Sequence, residues 1–369
     1  MATQPEFEAA GLYDPAIDAD TGRLELLFWL DEKDFTIAEM VDALHLVGLG
    51  AVASDRRLVP GKRLDRETAL ARSGLTAERF GAITTALGFT SITESITGEP
   101  GITEAELGAV TMLDAIAGMF TEAETLGFLR VLGRSFARVG EAGVSLFLTD
   151  IESPHLARQG NELELAEKVY NAIGLLDELG AVLDPLLRRH VLQAIQRSRL
   201  ATIDQVERLR YRYAIGFVDL VGFTPISHDL SPVELGNFIR NFEGQAHDAV
   251  TEVGARLVKL IGDEVMFVAP DPEAAYQAAK ALMTAFHTPD GEVLPCGGLA
   301  YGEVLVRGGD YYGEIVNLAS RLVDEAVPLE LLVTDEFAAA AKTTFEPAGR
   351  RMLKGFAEPV VVQSAPFSR

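Results

Sequence analysis

The chain has 369 residues, too many for one ordinary domain, and its 48% hydrophobic against 24% charged content is that of a protein able to bury a core. With 32 basic and 55 acidic side chains it carries a formal charge of −23, spread along its length, which argues against nonspecific binding to nucleic acid. A single cysteine, Cys296, excludes an intrachain disulfide framework and any multi-cysteine zinc site, and it fits a reducing compartment, so a cytoplasmic location is expected.

The first twenty residues, with Glu6, Glu8, Asp14, Asp18 and Asp20, lack the basic start and apolar middle of a signal peptide. No stretch reaches the roughly eighteen uncharged apolar residues needed to span a bilayer, and the run from Leu24 to Leu30 is cut by Glu25 and followed by Asp31. From about residue 24 to 209 the apolar positions recur at helical spacing. Thr36 with Glu39, Thr103 with Glu106 and Thr121 with Glu124 have the capping-box separation, in which a hydroxyl and a carboxylate satisfy unpaired amide donors. This half is expected to be all-α, as a domain over 1–185 joined by a helical linker over 186–209 to a second domain over 210–369. The linker is rich in arginine and contains no glycine or proline.

Beyond residue 209 short apolar runs alternate with helical ones. Tyr213 to Val218 is β-rich, and Ser231-Pro232-Val233-Glu234 opens a helix with serine as N-cap and proline in the first turn. Ala255–Leu260 and Val265–Ala269 flank a turn over 261–264 and predict a β-hairpin. Asp271-Pro272 caps an alanine-rich helix to Phe286, Leu299 to Val306 is extended, and Asn317 to Glu325 is helical. The order predicts an α+β fold with helices on one face of a mainly antiparallel sheet.

Asp219 ends an apolar strand and Asp263 sits in the hairpin turn. Two carboxylates without cysteine or histidine partners suit a hard cation such as Mg2+ or Mn2+, although Gly-Asp is also common in hairpins and Asp often ends a strand. Three blocks carry a family likeness: Phe217 to Thr224, Lys259 to Phe267 (KLIGDEVMF), and Asp310 to Arg321 (DYYGEIVNLASR). Over 211 to about 363 the chain resembles the catalytic domain of class III adenylyl cyclases, and the fold implied is the ferredoxin-like α+β nucleotidyl cyclase domain.

That resemblance implies an adenylate cyclase acting on ATP. Asp219 and Asp263, with the backbone carbonyl of Leu220, would hold two divalent ions per site. Asn317 and Arg321, spaced i to i+4, would orient the ribose and stabilise charge on the transferred phosphoryl group; alone, the pair also fits a solvated helix face. Lys259 and Asp310 would select the base, and Lys354 would bind phosphate; taken singly these fit a strand-edge lysine, a turn aspartate and a surface basic cluster. In the family the site lies at a head-to-tail dimer interface, so a homodimer with two sites is expected.

The helical half is similar, more weakly, to the N-terminal regulatory region of soluble actinobacterial adenylyl cyclases that respond to pH. That likeness allows a fatty acid or lipid between its helices. His190, flanked by Arg188 and Arg189, is a candidate pH-sensing group, with His45 and His155 as competitors. The other readings are a guanylate cyclase, a diguanylate cyclase and a noncatalytic nucleotide-sensing module. Ile261 stands where diguanylate cyclases need a second glycine, and every residue type the reaction requires is present.

Overall fold

The computed structural model describes residues 2–18, 21–46, 48–89, 101–158, 161–201, 211–223, 230–287 and 293–366. Asp20, Thr224 and the linker positions 202–209 lie outside them. The chain divides into two compact units, Met1–Leu187 and Arg188–Arg369.

The first unit contains helices α1 (Gln4–Ala9), α2 (Arg23–Glu32), α3 (Ile37–Leu46), α4 (Leu49–Leu58), α5 (Arg66–Ser73), α6 (Ala77–Leu87), α7 (Glu104–Ala117) and α8 (Glu122–Phe147). A π-helical turn, Leu148–Glu152, leads into α9 (Ser153–Ala157), and α10 (Glu162–Ala201) runs on into the second unit. The expected caps form: Thr36 and Thr103 each exchange bonds with the glutamate three residues on, and Thr121 accepts from the Glu124 amide. Two apolar cores hold the unit, one around Phe7, Leu26, Leu30 and Met40, the other around Phe80, Ile83, Val110 and Leu129. Among the described residues no single helix is long and apolar enough to cross a membrane.

Two expectations are corrected here. The unit is not purely helical, because β1 (Arg63–Leu64) and β2 (Ile102–Thr103) form a short antiparallel ladder. Gly101 permits the approach: a Cβ there would fall 2.5 Å from the Leu64 carbonyl oxygen. The connector helix does not begin at Leu186 but at Glu162, and Pro185 lies inside it. The helix continues through the proline, with flanking turns to hold it.

The second unit is built on β3 (Tyr211–Val221), α11 (Pro232–Glu252), β4 (Arg256–Ile261), β5 (Glu264–Ala269), α12 (Pro272–Phe286) and β6 (Leu294–Arg307). Then follow β7 (Asp310–Tyr312), α13 (Glu314–Glu325), β8 (Glu330–Thr334), α14 (Asp335–Ala340), β9 (Glu346–Arg351) and β10 (Val360–Pro366). The sheet order is β4-β5-β3-β6-β8-β10-β9, with β7 paired to β6, and only β6 and β8 run parallel. The run β3-α11-β4-β5-α12-β6 is therefore the expected βαββαβ core. The hairpin turn is tighter than predicted, since β4 extends to Ile261 and β5 starts at Glu264, leaving Gly262 in the left-handed region and Asp263.

Helices cover both faces of the sheet, not one. Ala214, Val218 and Leu220 of β3 join α11 and α12 in one core, whereas Tyr213, Ile215 and Phe217 join α13 in the other. Six consecutive buried residues on β3 reflect this two-sided burial. α13 approaches because Gly298 on β6 has no side chain: a Cβ there would lie 2.4 Å from the Ala319 carbonyl oxygen and 2.6 Å from the Val323 nitrogen, both backbone atoms that cannot swing away. Gly298→Ala is expected to lower the stability of this unit by about 1–3 kcal/mol, read as a fall in urea midpoint at constant slope; an unchanged midpoint would refute the close packing.

Candidate active site

Asp219 shares the side of β3 occupied by Tyr213, Ile215 and Phe217, and it pairs with Cys296 on β6. The tight hairpin sets Asp263 and Glu264 beside it, because β5 is the direct antiparallel neighbour of β3 and Val265 pairs with Val218. Burial, then the charge of Asp263, raises the Asp219 carboxyl above its ordinary value; an amide of the next residue, Leu220, opposes this and Asp324 on α13 adds to it. The same causes push Glu264 from 4.5 up to about 7: burial first, then Asp219, Asp324 and Asp263, with Arg321 opposing. Cys296, behind Asp219, is pushed up to about 12 by burial and by the charges of Asp219, Glu264, Glu330 and Asp324. Acidic side chains from β3, the hairpin and α13 thus crowd one end of the sheet.

This donor set fits divalent cations. Among the described residues no group of three or more His, Cys, Asp and Glu side chains is arranged as a metal cage. An Mg2+ ion bound through one or two carboxylates, with substrate phosphates and water completing its shell, needs no such cage. The ladder also leaves a backbone oxygen over. Leu220 is opposite Pro295, which has no N–H to donate, and on its other side the β3–β5 pairing ends at Val218 and Val265. Whichever neighbour the Leu220 carbonyl faces, no strand donor meets it.

A second cluster lies on the same side of the sheet. Lys259 Nζ donates to Asp310 Oδ2 at 2.6 Å, joining β4 to β7. Burial works to raise the Asp310 carboxyl, but the bond from Lys259, the Tyr311 amide, and the charges of Lys259 and Arg256 hold it below its ordinary value. α13 supplies the third group. Its Leu318, Ala319, Leu322 and Val323 are buried, so Asn317 and Arg321 fall on the outward side. Arg321 Nη1 donates to Asp324 Oδ2 at 2.7 Å within the helix. Lys354 is exposed in the turn between β9 and β10, next to the buried Leu353.

The structure therefore brings Asp219 together with Asp263, and Lys259 with Asp310. It sets Asp219 opposite Cys296 near the start of β6 and Asp310 opposite Arg307 at its end. Sequence reasoning missed Asp324 and the part played by Glu264. The i to i+3 spacing of Arg321 and Asp324 was the available signal for the first. His190 is exposed on α10, at a cavity it shares with Arg197 and Tyr213.

No protein-family model matches the chain. It is 33% identical over 361 residues to an uncharacterized protein of Mycobacterium tuberculosis, covering 96% of this chain and 92% of that one. It is 32% identical over 304 residues to an adenylate cyclase of Streptomyces coelicolor, covering 80% of this chain and 74% of that one. Among solved structures, the adenylyl cyclase CyaB of P. aeruginosa is 24% identical with a TM-score of 0.39, over 43% of this chain and 96% of that one. The chain belongs to the class III adenylyl cyclase family.

The Glu264 shift has a consequence for stability. Between 4.5 and about 7 the folded carboxyl holds a proton that the unfolded one has lost, so stability falls as pH rises through that window. In chelator the melting temperature is expected to drop across this range, and Glu264→Gln is expected to flatten the drop. An identical slope in the variant would show that Glu264 is not held protonated.

Proposed function

We propose that this cyclase converts ATP to 3′,5′-cyclic AMP and pyrophosphate at sites shared by two copies of the chain. The observation that carries the choice of base is the Lys259–Asp310 pair. An ammonium donor beside a carboxylate acceptor complements adenine, which accepts at N1 and donates from its N6 amino group. Guanine reverses that order and leaves both protein groups mismatched. In the free chain the two side chains satisfy each other. The pair is partly exposed, so parting it costs on the order of 1 kcal/mol or less, which two charge-assisted bonds to a base offset.

Asp219 and Asp263, with the Leu220 carbonyl, would hold two Mg2+ or Mn2+ ions. When bound, the ions lower the pKa of the ribose 3′-hydroxyl and neutralise the departing pyrophosphate. Asn317 orients the ribose so that its 3′-oxygen attacks the α-phosphate in line with the leaving oxygen. Arg321 leaves Asp324 and turns its guanidinium to the negative charge that builds on the phosphoryl group. Lys354, on its exposed turn, meets the polyphosphate.

The carboxylates of one copy face the base clamp and α13 of the other, giving two equivalent sites in a homodimer. The placement of Asp219 and Asp310 at opposite ends of β6 supports this sharing. So do the large apolar side chains left uncovered on α8, among them Phe128, Phe136 and Leu146, which a second copy would bury. The helical unit is the regulator in this reading, answering to pH or to a fatty acid or lipid, with His190 as a candidate titrating group.

Incubation with ATP and Mn2+ is expected to yield cyclic AMP by chromatography; cyclic GMP formed from GTP at an equal rate would overturn the choice of base. Arg321→Ala is expected to lower kcat by roughly 10²- to 10³-fold, as loss of a preorganised donor at developing charge does. Asp219→Ala and Asn317→Ala proteins, each inactive alone, are expected to regain activity on mixing, because one mixed site per heterodimer is intact. Verified heterodimers without activity would refute the shared site.

A further inference from the structure

Arg256 lies three residues before Lys259 on β4, and the chemistry above makes no use of it. Its half-buried guanidinium spans the residues on either side of Asp310: Nη2 donates to the Gly309 carbonyl at 2.9 Å, and Nη1 to the Tyr311 hydroxyl at 3.3 Å. The guanidinium carbon also stands 5.7 Å from the centre of the Tyr311 ring. The turn it grips is Gly308-Gly309, with φ of +59° and +81°. Two successive glycines in the left-handed region leave a turn with more freedom than any other pair of residues.

Packing restrains that turn only in part. Tyr311 is buried and meets Tyr213 edge to face at 5.3 Å between ring centres, so the residue after Asp310 is anchored. The residue before it is not, because a cavity of about 580 Å3, lined by Arg256, Gly309 and Tyr311 on one side and by His190 and Arg197 on the other, opens against it. The pairing of Arg307 with Asp310 closes the turn, and the bond from Arg256 to the Gly309 carbonyl is the side-chain restraint added on that flank.

We propose that Arg256 is a positioning residue for base selection, its planar fork fixing the Gly308-Gly309 turn so that Asp310 stands at one place and angle beside Lys259. The inference rests on the reading of Lys259 and Asp310 as the purine clamp. A carboxylate on a loosened turn loses alignment with the N6 amino group of adenine. It is also freed to rotate and accept from the N1 and N2 donors of guanine. Losing the brace therefore weakens the right base and admits the wrong one. A lysine cannot replace the arginine, since a single ammonium does not present two diverging donors to a carbonyl and a phenol.

The test is steady-state kinetics with ATP and GTP on the full chain, for the wild type, R256M, R256K, D310A and the R256M/D310A double variant. R256M is expected to lower kcat/KM for ATP about tenfold, the larger part in KM, and to cut ATP-over-GTP discrimination about tenfold; R256K should stay impaired. In the D310A background R256M should change discrimination no further, because the arginine acts through Asp310. If D310A loses discrimination while R256M keeps it, or if R256K equals the wild type, the brace is refuted and the clamp stands. If D310A itself leaves discrimination unchanged, the clamp falls and the brace with it. Should R256M fail to fold, R256K and Y311F, which deletes only the phenolic hydroxyl, decide the same question; Y311F is expected to reduce discrimination a few-fold, and wild-type discrimination in both would refute the brace.

Discussion

Repulsion among carboxylates at one end of the sheet is the constraint on which the rest of this molecule turns. Burial first, and then the charges of Asp219, Asp263, Glu264 and Asp324 on one another, raises the Asp219 and Glu264 carboxyls and pushes the thiol of Cys296 up to about 12. Partial burial strengthens the effect, because it removes the water that would screen these charges. An arrangement of this kind is unfavourable in the free chain and becomes favourable when compact positive charge enters. The proposed chemistry supplies that charge as divalent cations, which the Leu220 carbonyl, past the end of the β3–β5 pairing, would join.

The repulsion is sustained by the apolar packing behind it. Both sides of β3 are buried, and α13 is drawn against β6 at Gly298, where no side chain intervenes. One side of α13 thereby becomes core, and the other side presents Asn317, Arg321 and Asp324. Stability and chemistry are thus joined in a single helix: the residues that anchor it also determine which way its polar side faces. At the other cluster the logic is polar. Lys259 and Asp310 hold each other in the absence of a base, and Arg256 ties down the glycine turn beside them. Local bonding there keeps donor and acceptor together without substrate, which reduces what binding must spend on orientation.

Much of this was legible in the amino-acid order. The capping pairs at Thr36, Thr103 and Ser231 need only neighbours three residues apart, so local spacing suffices to read them. The βαββαβ order follows from alternating short apolar runs and helices. Asp219, Asp263, Asn317 and Arg321 stand in blocks that carry the family likeness, and the relatives bear out that likeness. The errors have a common cause. The connector is expected over 186–209, a stretch free of glycine and proline, yet α10 begins at Glu162 and passes through Pro185 with flanking turns to support it. The open face was expected because nothing in a strand's sequence says that a helix forty or more residues distant will cover it.

What the sequence determined by itself was composition, charge, the order of elements, and residue types suited to nucleotide chemistry, all matters of local pattern. What only the tertiary structure decided was which of those residues meet. Asp324 joins the acidic group because α13 packs over β6, and Arg256 reaches Gly309 because β7 folds toward β4. Contacts of that kind span tens of residues and depend on sheet register, in which a shift of one residue would turn every side chain to the other face.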